Sequence, residues 1–210
     1  ADEELAIIIA SHAGTVEQQH WVQSVLKKAK CTEADLLCGT HPPFDKALAE
    51  QMLCREESPT ALHHNCSGKH AGMLLACYCQ GWDKTSYGLP HHPYQQHLLK
   101  LLQSLCASKA LSETFELATD GCGVPVYSMS LQSIATLYAH LVSSSEFSRI
   151  ARVMATFPNL IGDNQRVDSL IMSVTEGRLL AKVGADGLLG VSHRDKTLGC
   201  AIKLWDGQNA

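Results

Sequence analysis

Apolar positions along this chain follow more than one period. Leu5–Ala10 (LAIIIA) is a continuous apolar run rich in β-branched isoleucine, and it predicts a strand buried on both faces. Ser11-His12-Ala13-Gly14 predicts a turn, with a helix starting near Thr15. In that helix Trp21, Val22, Val25, Leu26 and Ala29 share one face. Helical periodicity returns over Asp45–Leu53, Lys69–Cys79, a segment opened by Pro93, Leu131–Leu141, Phe147–Ala155 and Asn164–Val174. Asn65–Gly68, Gly81–Pro90 and Thr119–Pro125 read as loops or turns. The period then shortens, and Leu179–Val183, Leu188–Val191 and Cys200–Trp205 predict strands.

This order predicts an α+β fold, a sheet covered by a helical region. As a single domain it divides into a sheet strand over 1–12, a mainly helical region over 13–178 and β-strands over 179–207. Internal repeats and low-complexity tracts are absent from the sequence.

Composition narrows the function classes. The 210 residues are 45% hydrophobic and 18% charged, which excludes a disordered chain. The formal net charge is −4, and the short Lys/Arg runs predict no nucleic-acid partner. The apolar runs fall well short of the ~18 residues of a membrane span. Nine cysteines at irregular spacing, with no signal-peptide pattern, predict free thiols in a reducing, cytoplasmic setting. Leu5–Ala10 looks like the interior of a fold, so the chain reads as an internal fragment, incomplete at both ends. Missing sheet partners would leave apolar surface and strand edges open, which predicts self-association into a homo-oligomer.

The richest chemistry lies in His63-His64-Asn65-Cys66-Ser67-Gly68-Lys69-His70, just before an apolar helix. Backbone amides at that helix start favour an anion. The helix dipole and Lys69 predict a lowered Cys66 pKa. The plainer alternative is an Asn or Ser cap among unrelated polar residues. In Asp120-Gly121-Cys122-Gly123-Val124-Pro125, two glycines flank a thiol. If Cys122 meets Cys66 in space, two thiolates and a third ligand can hold one zinc ion. Lys69 is a candidate third ligand if deprotonated, and His64 and His70 are the more usual kind.

Ser11 at the end of the predicted strand is placed for catalysis, against the alternative of a turn cap. Lys182 lies in an apolar strand, where desolvation would lower its pKa and make it a candidate general base, unless it faces water. Ser24-Val-Leu-Lys27 has the Ser-x-x-Lys spacing but falls on the polar side of its helix, and is set aside.

Several segments, in this order, resemble the L-asparaginase II family of the Rhizobium etli inducible type. They are Ser11-His12, Cys38-Gly-Thr-His-Pro42, Asn65-Cys-Ser-Gly-Lys-His70 through Met73, Thr119-Asp-Gly-Cys122, Lys182-Val-Gly-Ala-Asp186, and the Leu198–Gly207 run. The resemblance implies a fold similar to serine β-lactamases and glutaminases. It implies hydrolysis of L-asparagine to L-aspartate and ammonia, with a small amino-acid amide as the partner molecule. It assigns Ser11 and Lys182 to a Ser–Lys pair, and Cys66, Lys69 and Cys122 to a zinc ion that assists substrate positioning. Asp120, His70 and Asn65 become the substrate-side residues. It also implies a second Ser-x-x-Lys pair upstream of Ala1, so this chain alone is expected to turn over little asparagine. Two other readings stay open: a zinc- or thiol-dependent binding protein without catalysis, and a different Ser–Lys hydrolase such as a glutaminase or β-lactam-binding protein.

Overall fold

A computed structural model describes residues 1–207 as an α+β protein. The chain divides into two compact units. The first holds Ala1–Lys100 and Leu117–Val126, and the second holds Leu101–Glu116 and the chain from Tyr127 onward.

In the first unit, the run expected as a strand is a helix, α1 (Asp2–Ile8). Short apolar runs do not distinguish a strand from a buried helix. Here Asp2, Glu3 and Glu4 occupy the first turn, where negative charge complements the helix dipole. Ala6 and Ile7 are fully buried. The next helix, α2 (Val16–Lys28), starts at a reciprocal cap: Gln18 N–H donates to Thr15 Oγ1 (3.3 Å) and Thr15 N–H donates to Gln18 Oε1 (3.1 Å). Of its predicted face, Val22, Val25, Leu26 and Ala29 are buried and Trp21 is partly buried. Ser24 Oγ donates to Glu4 Oε1 (2.7 Å), so the discarded Ser-x-x-Lys serine has a tertiary partner.

Asp45 caps α3 (Lys46–Cys54) by accepting Leu48 N–H at 2.7 Å. The central helix is α4 (Ser67–Gln80), whose buried residues include Ser67, Gly68, His70, Leu74 and Cys77. Gly68 is required by close approach: a Cβ there would lie 2.1 Å from the Ile7 carbonyl oxygen on α1. Cys77 is buried and Cys79 exposed, as expected for helix positions two apart. Beyond α5 (Pro93–Ser108), the expected tight turn proves to join a hairpin, β1 (Leu117–Thr119) and β2 (Pro125–Tyr127). The mainly helical 13–178 region therefore also holds this hairpin.

The second unit carries α6 (Leu131–Ser143), α7 (Ser148–Thr156), the single turn α8 (Pro158–Ile161) and α9 (Val167–Val174). It ends in an antiparallel sheet ordered β3 (Leu179–Val183), β4 (Leu188–His193), β5 (Leu198–Lys203). The register sets Lys182 opposite Gly190 and Ser192 opposite Gly199. Helix α6 lies directly on the sheet at its glycines. A Cβ on Gly190 would fall 2.1 Å from the Tyr138 ring, and one on Gly199 would fall 1.8 Å from the Ala135 carbonyl oxygen. Ser192 Oγ donates to Tyr138 O (2.6 Å) and fixes that contact.

Candidate functional site

The first unit brings together residues from the start of α4 and from the turn of the β1–β2 hairpin. Donor atoms of Cys66, Asp120 and Cys122 all lie within 4.8 Å of one another. Lys69, one turn into α4, donates from Nζ to Asp120 Oδ2 at 2.9 Å. The hairpin turn is held by Gly123 N–H donating to Asp120 O (2.8 Å) and Asp120 N–H donating to Val124 O (2.9 Å). The two thiols are thus brought together, although 55 residues of chain lie between them.

Electrostatics in the cluster differ from the expectation for Cys66. The Cys66 thiol is pushed up, first by its hydrogen bond to Cys122 and then by burial. Cys122 is pushed down, first by that same hydrogen bond, against burial, and further by His70 and Lys69. The pair is therefore a thiol donating to a thiolate, and the charge sits on Cys122. The helix dipole does not decide the matter, because Cys122 has the His70 contact in addition to Lys69. Cys122 Sγ is also 3.3 Å from Asp120 Oδ2, a contact that is a hydrogen bond only when the thiol is protonated. Burial disfavours the Lys69 charge, but the negative charge of the Cys66–Cys122 pair and the Asp120 carboxylate more than offset it and hold Lys69 above its usual range.

His70 is fully buried. Its Nδ1 lies 2.7 Å from Tyr87 Oη, which accepts the Leu37 N–H at 2.8 Å. The phenol proton then goes to Nδ1, which assigns the His70 proton to Nε2. That Nε2 is buried without a hydrogen bond by geometry, and His70 favours the charged form of Cys122. Two sulfurs and a carboxylate converging within 4.8 Å form a donor set that fits a thiophilic divalent cation.

Asn65 forms the other side of the loop. Its carbonyl accepts His12 N–H (3.0 Å), its own N–H donates to His41 Nε2 (3.1 Å), and its Oδ1 is 3.2 Å from the same nitrogen. His41 stood in the sequence only as part of the Cys38–Pro42 segment, and Tyr87 did not stand out, because an isolated Tyr carries no spacing signal.

Ser11 follows α1 rather than a strand, and it belongs to the first unit. Its neighbour His12 is fully buried and ties the Ser11 segment to the Asn65–Ser67 loop.

Lys182 belongs to the second unit, on β3. Its Nζ donates to Val183 O at 2.9 Å and lies 3.7 Å from Asp168 Oδ2. Desolvation alone would leave this amine neutral and free to accept a proton, but a fully buried carboxylate beside it acts the other way. Asp168 is held below the usual carboxylate range: burial opposes its charge, but Arg166 and Lys182 outweigh burial. Asp168 was legible only as an acidic residue in a first helical turn, a common surface feature.

Among the described residues, no helix is long and apolar enough to cross a membrane. All nine cysteines are free thiols.

Comparison with known families places this α+β chain among asparaginase-type amidohydrolases, whose substrates are small amino-acid amides. A family model for L-asparaginase II matches residues 1–210, and the chain belongs to the L-asparaginase II family. No curated protein matched the chain.

Proposed function

We propose that the protein hydrolyses L-asparagine to L-aspartate and ammonia through an acyl-enzyme. The family match, which spans every residue, carries this reading. Ser11 Oγ would attack the carboxamide carbon and give its proton to a base, the role that the family resemblance assigns to the Lys182 amine. The resulting ammonium returns the proton to the leaving nitrogen as the C–N bond breaks. Water then attacks the acyl carbon and releases the carboxylate. Ser11 alternatively relays the proton for another nucleophilic serine.

Cys66 and Cys122 would hold one zinc ion, with Asp120 beside them. Lys69 would join once it gives up its proton, which a divalent cation promotes. Bound zinc would supply a fixed positive charge that orients the polar groups of the substrate. Asn65, His70 and Asp120 would shape that polar wall. Self-association belongs to the same proposal, because β5 ends its sheet with Leu198, Cys200 and Ile202 exposed. Light scattering on the purified protein reads it, and a strictly monomeric mass rejects it.

Ammonia release from L-asparagine, L-glutamine and a chromogenic β-lactam, measured on the longest gene product containing these residues, tests the reading. Release from asparagine that is lost in Lys182→Ala supports it. Unchanged turnover by Ser11→Ala removes Ser11 from the mechanism. Preference for glutamine or the β-lactam favours another Ser–Lys hydrolase. The cysteine cluster gives a specific reason to keep one further reading, a zinc-binding protein without catalysis. Stoichiometric zinc with no hydrolysis of any of the three substrates would select it.

A further inference from the structure

The second unit contains a buried carboxylate whose partners go beyond what a simple ion pair needs. We propose that Asp168 is a positioning residue for Lys182, orienting its side chain and stabilising the ammonium formed when Lys182 takes up the serine proton; this rests on the reading that Lys182 is the reacting amine.

Both Asp168 oxygens are fully used. Oδ1 accepts from Arg166 Nε (2.8 Å) and from Ser169 N–H (3.0 Å). Oδ2 accepts from Arg166 Nη2 (2.8 Å) and from Val183 N–H (3.0 Å). The guanidinium fork alone would satisfy the charge of a carboxylate. The Val183 bond does something else. β3 is an outer strand, and Asp168 takes up the backbone N–H of the residue next to Lys182. Lys182 Nζ donates to the carbonyl of that same Val183. Carboxylate, Val183 backbone and amine therefore form one linked arrangement, with Nζ 3.7 Å from Oδ2. Strand position and amine position are fixed together.

Charged and titratable groups on the neighbouring elements also bear on this arrangement. Arg166 precedes α9 and is itself anchored by donating to Ile161 O (3.1 Å). From α6, the Tyr138 phenol is pushed up to about 12, first by burial and then by the Asp168 charge, so it stays neutral. Opposite Lys182, β4 presents Gly190, and His193 at the far end of β4 faces Leu179. Helix α7 turns Ala151, Val153 and Met154 inward, while Arg149 and Arg152 are exposed. Asp168 is an anion beside Lys182, and Arg166 is a cation sharing that carboxylate.

The two charges have opposite effects on the Lys182 amine, and that separates positioning from mere packing. The experiment follows the ¹³Cε resonance of Lys182 against pH in lysine-labelled protein, assigned with Lys182→Arg. In Asp168→Asn the amine should titrate lower by about one pH unit or more. In Arg166→Gln it should not titrate lower. In the active gene product, Asp168→Asn should lower kcat by about tenfold with a smaller change in KM, because orientation is lost rather than binding. Its pH–rate limb should move to lower pH. If Asp168→Asn does not fold, the double variant with Arg166→Gln replaces it and is compared with Arg166→Gln alone. These two proteins differ only in the Asp168 charge. A folded variant whose Lys182 titration does not move overturns the inference while leaving the Lys182 chemistry intact. Unchanged ammonia release in Lys182→Ala overturns the underlying reading, and with it any catalytic meaning for Asp168.

Discussion

His12 Nε2 and Ser67 Oγ lie 2.9 Å apart across 55 positions of sequence, both fully buried. Gly14 N–H donates to His12 Nδ1 (3.1 Å), so the ring proton is on Nε2 and is donated to Ser67. Ser67 Oγ passes its own proton to Leu62 O at 3.1 Å. The chain is fully satisfied, which makes His12 a strut between the Ser11 segment and the Cys66 loop.

Removing that strut should be costly. His12→Ala leaves a buried Gly14 N–H unpaired, and such losses cost about 1–3 kcal/mol. Urea denaturation should show this reduction. A variant as stable as the parent would mean that the bond contributes nothing to the fold.

Metal content should depend on both thiols. After exposure to zinc and dialysis, the parent protein should retain about one ion, as a two-thiolate site predicts. Cys66→Ser and Cys122→Ser should each lose most of it, as read by elemental analysis. Equal zinc in the double variant would place the ion elsewhere.

Acid should destabilise the protein through His64. Burial first, and the nearby His41 second, push its pKa down to about 4 in the folded chain. In the unfolded chain it is about 6.5. As pH falls between these values, the unfolded state binds a proton that the folded state refuses, so stability declines. Above about 6.5 the term vanishes. His64→Asn keeps an acceptor for the Cys66 N–H, which donates to His64 Nδ1 at 3.0 Å. Melting temperatures between pH 4 and 6.5 should fall less steeply in that variant, and parallel slopes would rule His64 out.

Glycine 199 should tolerate nothing larger. Its Cβ would meet α6 backbone, whereas Gly121 has open space around it. Overpacking costs about 1–3 kcal/mol, and Gly199→Ala belongs at the upper end because a helix must move. Gly121→Ala should stay within about 0.5 kcal/mol. Thermal unfolding of the two variants compares them directly.

Local patterns decided much of this protein. Periodicity found α2, α6 and the three strands of the second unit, because amphipathic spacing is a property of neighbouring residues. The same information marked Cys66, Lys69, Asp120 and Cys122 as chemically unusual. It failed at Leu5–Ala10, where an apolar run suits a buried helix as well as a buried strand. The outcome there depended on α4 offering Gly68 beneath Ile7. Which cysteine carries the charge, which nitrogen of His70 holds the proton, and which carboxylate stands beside Lys182 depended on groups distant in sequence. Those are matters of a few ångströms between chain segments, and only the folded arrangement of the backbone sets such distances.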